Sequence, residues 1–329
     1  MQSPRLVRWV LVLAVGAAVA SAANAAEPAA KRILCFGDDN TLAPQVAPAD
    51  RWPNRLQALL GNVEVINSSA EGRTVGQGTG ELNGLEQVEA ALKAAAPVDE
   101  VIVMLGTIDV QAHLWQEGGG PDGFGARLER LMAKIQGYRP GGAAPPSLTL
   151  VTPPPIGSKL EDRYNTQTMY MGANQRIATL LPRYHILTIA HRTRVVNVFA
   201  TLLQDIDKLV TADGVHLNAE GQKRVAQAVA DVLKDTQAPG PPKDVVLAVE
   251  TRFSLDATKS WDTTLMAWAP SPSEDVIGYE ILNQRGALIA MANSNSAQVN
   301  GRWANLSVRA RDAAGNVGDP VKATPQPGD

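Results

Sequence analysis

Cysteine is nearly absent: the chain of 329 residues holds one, Cys35. A single thiol builds no internal disulfide framework and no Cys-rich zinc or iron–sulfur site. Long apolar runs are missing too. The stretch at 9–20 has 12 residues, short of the roughly 18 that a membrane-spanning helix needs. Nor is there an excess of base, since 30 Lys and Arg face 33 Asp and Glu for a formal net charge of −3. That balance leaves no electrostatic footprint for nucleic acid or an anionic membrane. What is present is ordinary globular material, 45% hydrophobic and 19% charged, enough for a packed core. At roughly 150 residues per domain the length suggests two.

Arg5 and Arg8 precede the short apolar stretch, and Ser21-Ala22-Ala23-Asn24-Ala25 follows it. A basic start, an apolar middle and small residues at A-x-A spacing make 1–25 a signal peptide in form, cut after Ala25 or Ala26. Its removal takes two bases, leaving 28 against 33 acids, a net −5. The expectation is an exported protein, periplasmic or secreted, with no membrane attachment after cleavage. Cys35, inside an apolar run, is expected to be a buried small hydrophobe.

From 31 to 235 the pattern alternates. Short, nearly continuous apolar runs at 32–36, 63–67, 100–105, 147–152 and 185–189 read as parallel strands covered on both faces. Helical patterns fill the gaps at 52–60, 82–95, 124–136 and 166–181, and a last helix at 218–233 starts from Asn218 as N-cap. Such alternation predicts a doubly wound, three-layer α/β/α domain of flavodoxin-like type, whose ligands sit at the carboxyl ends of the strands. Proline and glycine at 236–242 mark a linker. Beyond it, 243–329 shows short strands and no helical period, which predicts a small all-β, immunoglobulin-like sandwich. Thr263 to Trp268, Gly278-Tyr279-Glu280 and Leu306 to Asn316 resemble the core-tryptophan strand, the strand after it and the closing hairpin of a fibronectin type III domain. Leu306 stands where that family often has a corner tyrosine.

Four segments carry a second resemblance. Gly37-Asp38-Asp39-Asn40-Thr41, Asn67 to Thr74, Gly106-Thr107-Ile108-Asp109 and Asp213-Gly214-Val215-His216-Leu217 resemble, in order, the sequence blocks of the SGNH (GDSL) hydrolases, a family of esterases and lipases. The resemblance implies that Asp39 stands at the nucleophilic serine, that Ser69 and Ile108 stand at oxyanion-hole positions, and that Asp213 orients the general base His216. Gly72, Arg73, Asn40 and His113 are the candidate cleft residues. No cofactor and no metal is called for.

The substitutions decide the chemistry. A serine hydrolase needs an alcohol whose proton histidine removes, and donors aimed at the developing oxyanion. Asp39 has no alcohol, and with an ordinary pKa near ~3.9 it is ionised at neutral pH. Ile108 has no donor. The main expectation is therefore an exported pseudo-esterase that binds or acts on an extracellular glycan or acylated ligand. The alternative is an active hydrolase of the ester or acetyl-carbohydrate class that uses Asp39 with His216 and Asp213, as Asp–His–Asp sets serve in some dehalogenases of another fold. For Asp39 itself, a turn residue and a metal ligand beside Asp213 and His216 stay open as well.

Overall fold

The structure, a computed structural model, describes residues 30–115, 120, 122–161, 168–256 and 258–326. The expected signal peptide lies outside the described residues, as does the start of the helix expected at 166–181.

The α/β part runs β1 (Lys31–Gly37), α1 (Asp39–Leu42), α2 (Trp52–Leu60), β2 (Val63–Asn67), α3 (Gly84–Ala95), β3 (Glu100–Met104), α4 (Phe124–Gly137), β4 (Ser147–Val151), α5 (Ser158–Glu161), α6 (Ala173–His191), β5 (Arg194–Val196), α7 (Val198–Leu203), α8 (Ile206–Leu209) and α9 (Ala219–Lys234). Its five strands lie in the order β2-β1-β3-β4-β5, and every neighbouring pair is parallel. Successive strand side chains point to opposite faces, and β1 shows the result. Leu34 and Phe36 enter one core with Val88, Leu128 and Tyr184, while Ile33 and Cys35 enter another with Trp52, Leu56 and Val225. Two cores on one sheet make the three layers. The order reverses direction between β1 and β3, so the crevice beyond their carboxyl ends is the place for a ligand.

The strand expected at 185–189 is instead the second half of α6. An apolar run of five cannot be assigned to strand or helix by composition. Here Ile177, Leu180, Tyr184 and Leu187 form one buried helical stripe that continues through Pro182, and the fifth strand follows as Arg194–Val196. Asn218 does cap α9, accepting from the N–H groups of Glu220 and Gly221.

The remaining strands are β6 (Lys243–Phe253), β7 (Ser260–Ala269), β8 (Val276–Asn283), β9 (Leu288–Ala292), β10 (Ser296–Asn300), β11 (Leu306–Asp312), β12 (Val321–Lys322) and β13 (Thr324–Pro325). They form two four-stranded sheets, β10-β7-β6-β13 and β12-β11-β8-β9. The sheets enclose a third core in which Trp268 meets Tyr279 edge-on at 5.2 Å between ring centroids. Glu280 on β8 is 2% exposed and accepts from Arg309 at 2.6 and 2.8 Å and from Arg311 at 3.2 Å. The two parts touch. The Val195 N–H on β5 donates to the Ala313 carbonyl at 2.9 Å, and Ile277 joins the same core as α6. No helix among the described residues is long and apolar enough to cross a membrane.

Candidate active site

Four loops meet at the carboxyl ends of β1 and β3. Asp38 follows β1 and caps α1, accepting from the Asn40 N–H at 3.1 Å and, across the crevice, from the Thr107 N–H at 3.3 Å. It is fully buried, and burial first, then the neighbouring Asp39 charge, pushes its carboxyl up to about 7. Asp39 is the first residue of α1. Its Oδ2 accepts from the Gly72 N–H at 2.8 Å, and its Oδ1 lies 3.6 Å from His216 Nε2, an ion-pair distance rather than a hydrogen bond.

His216 is fixed from the other side. Its Nδ1 meets Asp213 Oδ2 at 2.7 Å, while Asp213 Oδ1 accepts from the N–H groups of Val215 and His216 at 2.8 and 3.0 Å. A proton on Nδ1 therefore points at Asp213, and Nε2 faces Asp39. The imidazole lies between the carboxylates with one ring nitrogen toward each, so the three do not converge on a common point. The only carboxylate or His trio close enough to share an ion among the described residues is Asp235, Asp275 and Asp312.

Asn40 and Arg73, expected to line a cleft, are buried braces. Asn40 donates to the Val215 carbonyl and accepts from the Leu217 N–H, at 3.3 and 2.9 Å, which bolts α1 to the loop carrying His216. Arg73 donates to the carbonyls of Ser68 and Glu81 and lies 4.4 Å over the Phe36 ring, holding the turn that presents Gly72. That turn requires φ +74° at Gly72, a region costly for a residue with a Cβ. So Gly72 supplies the donor expected from Ser69, whose Oγ is buried with no hydrogen-bond partner among the described residues. Ile108 sits half-buried after β3, and His113 is exposed. Beside Ile108, Asp109 is buried, accepts from the Val75 N–H and pairs with Arg127 at 3.4 Å, tying the third loop to the second.

Sequence reasoning missed one pair. Gln111 donates to the Tyr170 hydroxyl at 2.8 Å, and burial first, then the charges of Asp38, Asp39 and Asp213, pushes that phenol up to about 12. Tyr170 thus stays a neutral hydroxyl within the field of the site. No motif carries it.

The electrostatics favour an ion pair. Burial works to raise the Asp39 carboxyl, but His216 and the N–H groups of Gly72 and of Asp39 itself outweigh it and hold the group below its ordinary value. Asp213 is held at about 2 against burial, by the His216 and Val215 N–H groups. For His216 the Asp39 carboxylate comes first, opposed by burial and assisted by Asp213, and the imidazolium titrates at about 9. A raised histidine stabilises the fold fully below its unfolded value near ~6.5, and that contribution disappears as the pH rises through about 9. The depressed Asp213 acts oppositely. Its contribution is present above ~3.9 and is lost as the pH falls through about 2. Asp39→Asn keeps the shape and removes one anion, so the His216 titration, followed by NMR of labelled histidines, is expected to move down by at least a few tenths of a unit. An unchanged midpoint would show that the two groups do not interact.

Comparisons with known proteins bear on the fold. Residues 35–224 match the model of the GDSL-like Lipase/Acylhydrolase family. A curated acetylxylan esterase of Xylanibacter ruminicola is 25% identical over 224 residues, which are 62% of this chain and 43% of that protein. The chain therefore spans less than half the length of that relative. Among solved structures, the native M. smegmatis aryl esterase has a TM-score of 0.51 at 26% identity, covering 61% of this chain and 97% of its own. A carbohydrate acetylesterase family member from Sinorhizobium meliloti has a TM-score of 0.50 at 25% identity, covering 62% and 97%.

Proposed function

The chain belongs to the GDSL-like lipase/acylhydrolase family, and from that premise we propose that it is an exported member that binds a carbohydrate or acylated ligand and does not hydrolyse carboxylic esters. One observation carries this reading: the Asp39 carboxylate takes the Gly72 N–H at 2.8 Å. In an ester hydrolase that donor belongs to the substrate's developing oxyanion. Here it is occupied by a fixed negative charge, next to a histidine that already holds its proton and so accepts none. An ester carbonyl meets an anion where it needs a hydrogen-bond donor. The names of the relatives, an acetylxylan esterase and a carbohydrate acetylesterase family member, support the ligand class. The form of 1–25 supports export, and a fibronectin type III-like module at 243–329, after a linker at 236–242, suits a protein working among extracellular polymers.

A panel of short-chain aryl esters and acetylated sugars, with and without divalent metals, tests the proposal. Binding without turnover is expected. Turnover of any aryl ester at ordinary enzyme rates, about 1–10³ per second, would end it. A second reading, an active hydrolase that uses Asp39 itself, is favoured by a different feature of the same carboxylate: the Gly72 N–H holds its Oδ2 while its Oδ1 faces His216.

A further inference from the structure

We propose that Asp39 is a nucleophile toward saturated carbon, and that the site opens epoxides to diols through an ester on its side chain. The inference rests on the second reading above, in which the site works with Asp39 in place.

The two oxygens of the carboxylate are not equivalent. Oδ2 is held by the Gly72 N–H, with the N–H of Asp39 also on the carboxylate. Oδ1 faces His216 Nε2 at 3.6 Å, an ion-pair distance longer than a hydrogen bond. The side chain is 8% exposed, so this anion carries little of the water that would blunt its attack. Attack at a tetrahedral carbon builds no oxyanion at the carbon attacked; the charge appears on the ring oxygen and is quenched by a proton, so this step does not call on a donor at Ile108. In the later hydrolysis the oxyanion forms on Asp39 Oδ2, which already has the Gly72 N–H as a donor. The feature that bars ester substrates prepares this chemistry.

The steps balance. Oδ1 attacks one ring carbon, a C–O bond forms, the strained C–O bond of the ring breaks, and its electron pair stays on the departing oxygen as an alkoxide. Esterification removes the anion that does most to keep His216 protonated, and the His216 proton passes through solvent to the alkoxide. The now neutral imidazole, oriented by Asp213, takes a proton from a water that attacks the ester carbonyl. Collapse of the tetrahedral intermediate expels the diol, whose oxygen takes the His216 proton; solvent then returns one to the imidazole from the carboxylic acid left on Asp39, restoring the starting pair. An epoxide suits the surroundings better than a halide or sulfate ester. Its leaving oxygen stays in the product and needs only a proton, whereas a halide or sulfate would depart as a lasting anion beside the Asp213 carboxylate.

The test uses the full chain and styrene oxide. In heavy-oxygen water, a single turnover with protein in excess is expected to give diol with no heavy oxygen from solvent, while the peptide carrying Asp39 gains it. His216→Gln is expected to stop at the ester, so that the same peptide gains the mass of styrene oxide, and Asp39→Asn is expected to give neither signal. Three results would overturn the proposal: no diol and no adduct, heavy oxygen entering the diol directly in the first turnover, or an adduct confined to other carboxylates. None of these bears on the ester panel, so the two proposals fail separately.

Discussion

Asp39→Ser combined with Ile108→Asn is expected to raise aryl-ester hydrolysis by about 10²–10³ over Asp39→Ser alone, the effect of one oxyanion-hole donor. Serine by itself supplies the alcohol and vacates the Gly72 N–H, and it frees His216 from its strongest anionic partner. The imidazole then gives up its proton at lower pH than in the wild type and is better able to act as base. Losing the nucleophile of such a triad costs on the order of 10⁶, so the wild type is expected to lie at background and the single variant visibly above it. Initial rates with a short-chain aryl acetate check the series. A single variant that matches the double would mean that position 108 does not face the oxyanion, and the site would have to be redrawn around Gly72 alone.

Glu280→Ala is expected to cost about 3–5 kcal/mol, the usual penalty for removing one partner of a buried ion pair. Arg311 has 7% of its side chain exposed and would keep a buried charge with its salt-bridge partner gone, while Arg309, more exposed, can turn to water. The loss is expected in the β-sandwich first, because β8 and β11 are paired through these residues. Urea unfolding, read by hydrogen exchange in β8 and β11, measures it. Glu280→Gln, which keeps an acceptor, is expected to fall between. A loss below about 1 kcal/mol for the alanine variant, the range of surface pairs, would mean that Arg311 finds another partner.

The strands that carry the site were legible because they are short, apolar and flanked by glycine and polar residues. Runs at 63–67 and 100–105 correspond to β2 and β3 within a residue. The positions of Asp39, Asp213 and His216 could be read from their blocks, since each lies within a few residues of a strand end or helix start. Other features were not legible. Which N–H of the second loop reaches Asp39 depends on the φ of Gly72 and on Arg73 pulling that loop over Phe36, and residue order specifies neither. Asn40 looked like a cleft residue because polar side chains after β1 point toward the ligand in this architecture. It is buried because its amide serves both the Val215 carbonyl and the Leu217 N–H. The 185–189 run misled for the converse reason, since its β-branched composition hid a helical stripe spanning more residues than the run itself.

The bond from Val195 to Ala313 has a bearing on the order of events at synthesis. β5 is the last strand of its sheet, and an outer strand with free backbone groups is a template for mispairing. Chains emerge from the amino end, and early parts fold while later ones are still being made. The α/β unit can therefore assemble four strands and add the fifth, but that fifth strand stays unprotected until Ala313 has been made and the hairpin holding it has closed. Ile277 enters the α/β core over the same interval. A chain halted before the sandwich would therefore leave the outer edge of the parallel sheet without the backbone partner that Ala313 supplies.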